Sequence, residues 1–376
     1  MRNFDHNATS PLLPEARRAW LDATERYLGN PSSPHRLGAQ ADAALNEARH
    51  QLASRLGSDP HDVVWTAGAT ESTNTVLHHF ARTLTFGEEV WVSAIEHPCV
   101  LDTAQYYFKK RLRLIPVTNA GVIDLSRFAL ELREARPGLV AVMAANNETG
   151  VVQPWRQIAA VCRDREVPFL CDAAQWLGRL PARGLGECDF VAGCAHKFGG
   201  PTGVGFLKCP PQVRLEPLLM GGPHEANRRA GTENVAGVLA MMAASGLRET
   251  ELLPQALQSR LAWRKDFETK LLEVLPESEI VGVDQERLWN TVSALMPGAE
   301  CQGRWVANLD KLGFAVSTGS ACCSGRAEPS HVLSAMGYSP ASTRRVLRFS
   351  SGWDTQPGEW DSLLNALLEV HRGIGS

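Results

Sequence analysis

Residues 188–205 read Cys188-Asp-Phe-Val-Ala-Gly-Cys194-Ala-His196-Lys197-Phe-Gly-Gly-Pro-Thr-Gly-Val-Gly205. A short apolar strand, Phe190 to Ala192, delivers His196 and Lys197 into a glycine-rich turn, and a second strand, Val204 to Lys208, leaves it. Glycines beside a lysine let the backbone approach a ligand closely. Burial there lowers the lysine pKa, as a lysine that bonds a carbonyl carbon requires. The plainer reading is a solvated loop lysine, which describes most lysines. The flanking sequence decides between the two.

Working outward, short apolar strands alternate with helical or loop segments: Val63 to Thr66, Val90 to Ala94, Leu114 to Val117, Val140 to Ala144 and Phe169 to Cys171, then the two strands above. This alternation predicts an α/β fold, a mostly parallel seven-stranded sheet covered by helices on both faces. Polar clusters follow the carboxyl ends of five strands: Gly68-Ala69-Thr70, His97, Asn146-Asn147-Glu148, Asp172 to Gln175, and His196-Lys197. That edge of an open parallel sheet is where ligands bind. Their convergence turns Lys197 from a loop residue into a site candidate.

Helices are expected at Pro14 to Tyr27, Ala39 to Leu56, Val235 to Leu247 and Leu253 to Leu275, with an amphipathic last one from about Pro357 to Val370. Residues 16–255 are read as a large domain. Residues 1–15 and 256–376 are read as a smaller α+β domain containing a strand at Thr291 to Met296. The glycine-rich, charged segment Pro217 to Asn234 reads as a functional loop.

The chain has 376 residues, 38 Lys and Arg against 41 Asp and Glu, and a formal net charge of −3, which argues against direct nucleic-acid binding. No apolar run is long enough for a membrane span and no signal peptide opens the chain, so a cytoplasmic location is expected. The nine cysteines are scattered without paired metal-type spacing. That favours reduced thiols over disulfides and gives no metal site.

Several residues carry chemistry of their own. Gly68-Ala69-Thr70-Glu71-Ser72 opens a helix whose free amides suit an anion, although many such starts are only caps. Asp172 ends an apolar strand, where a carboxylate needs a cationic partner or else caps the next helix. His97 offers a flat ring that titrates near neutrality. Cys322 and Cys323 lie in Ser317-Thr-Gly-Ser-Ala-Cys-Cys-Ser-Gly325, a small polar stretch that does not explain a thiol as core. Arg348, in Val-Leu-Arg-Phe-Ser, offers a fork to a carboxylate or a structural ion pair.

Together these motifs resemble the cysteine desulfurases of the NifS/IscS type, first group, pyridoxal-phosphate enzymes of the class V aminotransferase fold group with the type I aminotransferase fold. The resemblance spans nearly the whole chain, from Asp5-x-Asn-Ala-Thr9 through Gly29-Asn-Pro-Ser-Ser, Gly68-Ala-Thr-Glu-Ser, Glu96-His97, Asn146-Asn-Glu-Thr-Gly150, Asp172-Ala-Ala-Gln175, Ala195-His-Lys197, Arg229-Ala-Gly-Thr232 and Gly319-Ser-Ala-Cys322 to Glu328-Pro-Ser-His-Val-Leu and Arg348-Phe-Ser.

The resemblance implies that Lys197 holds pyridoxal 5′-phosphate as a Schiff base and moves the substrate α-proton. It implies that Asp172 pairs with the ring nitrogen, His97 stacks on the ring, and Gln175 bonds the phenolic oxygen. Ala69, Thr70, Cys194, His196 and nearby amides surround the phosphate. Thr232 is donated across a homodimer interface, and Arg348 with Asn147 binds the carboxylate of L-cysteine. Cys322 aligns with the nucleophile that takes the substrate sulfur as a persulfide and passes it to an acceptor protein, leaving alanine; a base such as His97 would help it ionise. The long spacing from Cys322 to Leu333 implies a loop that carries sulfur outward. The acceptor is left open among iron–sulfur cluster assembly, nucleic-acid thiolation and cofactor pathways.

Departures from the family are Cys194 in place of a phosphate-binding Ser, Cys323 in place of Ser or Thr, and Pro223, His224, Asn227 and Ala230 in the glycine-rich loop. The alternatives are a selenocysteine lyase or another β-eliminating lyase on the same fold, and a non-catalytic sulfur carrier.

Overall fold

The structure is a computed structural model that describes residues 1–249, 253–298, 302–319 and 329–374. Its strands are β1 (Arg2–Asn3), β2 (Val63–Thr66), β3 (Val90–Ser93), β4 (Leu112–Ile115), β5 (Leu139–Ala141), β6 (Phe169–Asp172), β7 (Phe190–Cys194), β8 (Gly205–Lys208), β9 (Glu279–Ile280), β10 (Thr291–Leu295), β11 (Phe314–Ala315) and β12 (Val346–Ser350). The helices are α1 (Pro14–Arg26), α2 (Arg36–Leu56), α3 (Ala69–Thr83), α4 (Pro98–Phe108), α5 (Leu125–Glu134), α6 (Trp155–Asp164), α7 (Val235–Leu247), α8 (Leu253–Val274), α9 (Gln302–Lys311), α10 (His331–Ala335), α11 (Pro340–Thr343) and α12 (Pro357–Ile374). Among the described residues, no helix is long and apolar enough to cross a membrane.

A seven-stranded sheet runs in the order β2-β8-β7-β6-β5-β3-β4. Every pairing is parallel except those of β8, which is antiparallel to both β2 and β7. The strands are apolar on both sides because both sides are covered, and successive side chains alternate between two cores. Val63, Trp65, Trp91, Val140, Phe169 and Val191 face the core shared with α1, α2, α5, α6 and α7. Val64, Val90, Val92, Leu139, Leu170 and Phe190 face the one shared with α3 and α4.

Of the expected strands only β2 keeps its range; β3, β6, β8 and β10 shift by one residue at an end and β7 runs two residues further, to Cys194, while β4 and β5 shift at both ends. β4 begins at Leu112, because the charged Arg113 behaves as a strand residue on this sheet edge by laying its guanidinium 4.3 Å from the Trp91 ring centre. β5 ends at Ala141, although Val142 and Ala144 still donate to the Leu170 and Asp172 carbonyls. The extended backbone therefore carries Ala145 to Asn147 out to the carboxyl edge.

A third core gathers Phe4, Phe267, Leu271, Val292, Trp305, Phe349 and Trp360 around the antiparallel sheet β12-β10-β9. The amino-terminal strand β1 pairs with β11, and Asp5 bridges to Ser350. This threading brings residues 5–9 between the two sheets and up to the carboxyl ends of β6 and β7. Six described cysteines, at 99, 162, 171, 188, 194 and 209, are unpaired, and all but Cys99 are buried.

Candidate active site

The carboxyl ends of the parallel strands open onto a cavity of about 510 Å³, within the range of small-ligand sites. Each strand end contributes: Ala69 and Thr70 after β2, His97 after β3, Asn147 and Glu148 after β5, Asp172 and Gln175 from β6, and Cys194, His196 and Lys197 from β7. Arg348 closes it from β12. The turn after β2 lies tight on β8, where a Cβ at Gly205 would stand 2.6 Å from the Gly68 Cα. Only glycine permits that approach.

Lys197 closes a single 3-10 turn, Ala195–Lys197. Its ammonium donates to the Asn7 carbonyl at 2.6 Å and the Ala8 carbonyl at 2.8 Å. Ser10 Oγ donates to the Lys197 carbonyl at 2.9 Å, so the amino-terminal segment grips this lysine at both ends. Asn7 itself is fixed by donating through Nδ2 to Thr291 Oγ1 at 2.9 Å and to the Asn147 carbonyl at 3.2 Å.

Asp172 is 6% exposed, and burial pushes its carboxyl above the ordinary range, with the Ala174 amide, His97 and Lys197 holding it partly down. A buried acid in this state is matched by a cation placed in the cavity. Gln175 Nε2 donates to the Asn7 carbonyl at 3.0 Å, leaving its Oε1 buried without a partner among the described residues. His97 Nδ1 accepts from the Cys99 amide at 3.1 Å and so caps α4. Burial, first, and then Lys197 and His331 lower its pKa, against Asp172 and Asp102.

At the opposite end the amino terminus of α3 points its amides at the cavity. The Ala69 amide bonds Cys194 sulfur, and burial pushes that thiol up to about 11, so it stays protonated. His196 Nδ1 lies 3.3 Å from Thr9 Oγ1, and burial lowers its pKa to about 4. Helix amides, a threonine hydroxyl, a thiol and a neutral imidazole form a donor set suited to an anion without a strong opposing charge. A buried acid at one end, an orphaned amide oxygen beside it, a lysine amine between and an anion cradle opposite fit pyridoxal phosphate in every part.

Arg348 is 1% exposed and donates to the Asn147 and Gly319 carbonyls at 2.9 Å each and to Asp5 Oδ1 at 2.6 Å. Arg348 thus makes the structural ion pair, and it also lines the cavity.

Thr232 is exposed and does not line this cavity in the single chain. Cys322 and Cys323 lie outside the described residues. The residues beside them are placed: Gly319 against Arg348, and Ser330, whose Oγ donates to Glu148 Oε2 at 2.6 Å. The glycine-rich loop turns back on β2 through Arg49, which forks onto Glu225 at 2.6 and 2.9 Å. Asn227, where the family has Gly, keeps a left-handed backbone at φ 65° that asparagine tolerates.

Asp5, Glu96, Cys99, Glu148 and His331 also belong to the site, although sequence reasoning gave them no role. Asp5, Glu96, Glu148 and His331 stood within the quoted motifs, Glu148 also in a strand-end cluster, whereas Cys99 carried no signal. Glu96 is 1% exposed, accepts from the Met143 amide at 2.7 Å, and has its pKa raised well above the ordinary value by burial and then by Asp172.

The chain matches the Aminotransferase class-V family over residues 2–363. It is 35% identical over 369 residues to a cysteine desulfurase of Gluconacetobacter diazotrophicus, covering 97% of this chain and 92% of that one. It is 36% identical over 371 residues to a cysteine desulfurase of Klebsiella pneumoniae, covering 98% and 92%. Among solved structures, a NifS-like protein superposes with a TM-score of 0.89 at 29% identity, covering 99% of this chain and all of that one. SspA in complex with cysteine superposes at 0.81 and 26% identity, covering 93% and 99%.

Proposed function

The chain belongs to the class-V aminotransferase family, among the cysteine desulfurases, and from that premise we propose which of its residues convert L-cysteine to L-alanine. The observation that carries the assignment is the Lys197 amine, held by two carbonyls in a cavity that also presents Asp172, His97, Gln175 and Arg348. Bound pyridoxal phosphate supplies an electron sink through its protonated ring.

Lys197 is the residue that holds the cofactor and afterwards carries the substrate α-proton. Asp172 keeps the ring nitrogen protonated, because its own buried charge is stable only beside a cation. His97 covers the ring face, and Gln175 meets the phenolic oxygen. Ala69, Thr70, Cys194 and His196 hold the phosphate. Arg348 and Asn147 orient the substrate carboxylate. Cys322 attacks the substrate sulfur and keeps it as a persulfide for an acceptor protein.

The same reading makes residues 16–255 the cofactor-binding domain, with 1–15 and 256–376 as the small domain, and makes the protein a homodimer. Exposed Thr232 shares its loop with the exposed apolar Leu219 and Met220, and a partner surface explains all three. Unpaired thiols support a reducing, cytoplasmic setting.

The test is turnover with L-cysteine. Protein loaded with pyridoxal phosphate should absorb visible light, lose that band to borohydride, and form alanine with one persulfide on the Cys322 peptide. Lys197→Ala should show no borohydride-fixed cofactor. Undiminished sulfur release by Cys322→Ala would remove the persulfide step and favour a β-eliminating lyase.

A further inference from the structure

The end of the cavity that cradles an anion also carries a carboxylate. Glu71 follows Ala69 and Thr70 in the first turn of α3 and lines the cavity with them. A negative charge there suits the helix dipole but repels an anion bound at the same amides. Its oxygens are engaged by other groups: Oε2 accepts from the Ala67 amide at 2.8 Å, and Arg229 donates through Nε to Oε1 at 2.8 Å and through Nη2 to Oε2 at 3.4 Å. The two side chains are only 19% and 12% exposed. Arg229 does not itself line the cavity.

A strained turn places this guanidinium. Just before it, Glu225, Ala226 and Asn227 run through left-handed backbone at φ 50°, 56° and 65°, a conformation that costs residues other than glycine and persists where neighbours fix it. Arg49 forks onto the Glu225 carboxylate, which also accepts from the Trp65 amide at 3.1 Å. Arg228 donates to the His61 and Val63 carbonyls at 2.8 and 3.3 Å. Residues 225–228 are thereby pinned along β2, and Arg229 meets Glu71 just past the end of that strand.

We propose that Arg229 is a positioning residue that neutralises Glu71, so that the amino end of α3 accepts a phosphate while Glu71 keeps the Ala67 amide and shapes the turn into the helix. This rests on the reading above that the cradle holds the cofactor phosphate. The pair has two separable effects. As a strut between loop and turn, it would be broken by removing either end and would not be restored by removing both. As charge compensation, removing Arg229 alone bares a carboxylate to the phosphate, and removing both charges restores the balance.

The test titrates cofactor-free protein with pyridoxal phosphate and with pyridoxal, which lacks the phosphate. The Kd for pyridoxal divided by that for pyridoxal phosphate measures what the phosphate contributes. Arg229→Gln should lower this ratio about 10-fold, Glu71→Gln should raise it about 3-fold, and the two substitutions together should return it to within about 2-fold of the parent. Gln at position 71 can still accept from the Ala67 amide. An unchanged ratio in Arg229→Gln, or a double variant no closer to the parent than Arg229→Gln, would overturn the proposal and leave the cradle reading intact. Equal affinity of the parent protein for the two compounds would instead overturn the cradle reading, and the proposal with it. Should Arg229→Gln fail to fold, Glu71→Gln decides: a raised ratio supports the compensation, and one unchanged or lowered overturns it.

Discussion

Asp5 Oδ1 stands 2.6 Å from Arg348 Nη2, an ion pair between residues 343 positions apart on a guanidinium that is almost fully buried. The pair aims and compensates the Arg348 guanidinium. If Arg348 binds the substrate carboxylate, that group meets a guanidinium already oriented by Asp5 and by the Asn147 and Gly319 carbonyls. Arg348→Lys retains the charge but loses the fork. KM for L-cysteine should rise about 10- to 100-fold, by roughly 1.4 to 2.7 kcal/mol, with the cofactor band intact. Steady-state kinetics check this, and an unchanged KM would place the carboxylate elsewhere.

Cys194 offers the anion cradle a thiol whose pKa burial pushes to about 11, a neutral but weak donor. Cys194→Ser supplies a stronger donor of similar shape. Cofactor affinity should tighten about 5-fold, corresponding to about 1 kcal/mol. Titration of cofactor-free protein with pyridoxal phosphate measures it, and no change would show that the phosphate stays clear of this side chain.

Acid should loosen the lysine turn. Burial lowers the pKa of both His6 and His196 from the ordinary 6.5 to about 4, with Arg179 adding to burial in each case and Asp354 and Asp5 opposing it at His6. Above pH 6.5 both rings are neutral folded or unfolded, so stability is on a plateau. Between 6.5 and 4 the unfolded chain takes protons that the folded chain refuses, so stability falls as pH falls, by on the order of 3 kcal/mol for His6 alone. Urea midpoints at pH 7, 6 and 5 should drop in that order, and His6→Gln should flatten the slope.

Met220 is 81% exposed on the loop that carries Thr232. If that loop meets a second copy, Met220→Asp should shift the protein from twice the monomer mass towards the monomer in sedimentation. Cofactor affinity should weaken with it, because Thr232 would be withdrawn from the partner's site. A mass that is monomeric before substitution would refute the homodimer.

Much of this was legible in the chain itself. The strands from Val63 to Lys208 are apolar runs ended by glycine and polar residues, a pattern that predicts a mostly parallel sheet, although the last of them, β8, pairs antiparallel with both neighbours. Asp172, His97 and Lys197 declared themselves because each follows a strand by a few residues, and strand ends are a local property. Asp5, Glu148 and His331 were written in the same motifs without declaring a role, since their chemistry depends on partners far along the chain. Thr232 and Cys322 were legible as candidates only by resemblance.

By itself, then, the sequence determined the sheet, the edge that binds and the side chains delivered there, because strand periodicity and glycine turns act over a few residues. Tertiary structure alone decided that Lys197 is gripped by Asn7 and Ala8, that Arg348 is compensated by Asp5, and that His97 Nδ1 is engaged by the Cys99 amide. Hydrogen-bond partners of buried groups are chosen by whichever donors and acceptors packing brings within about 3 Å, and local propensity carries no information about that choice.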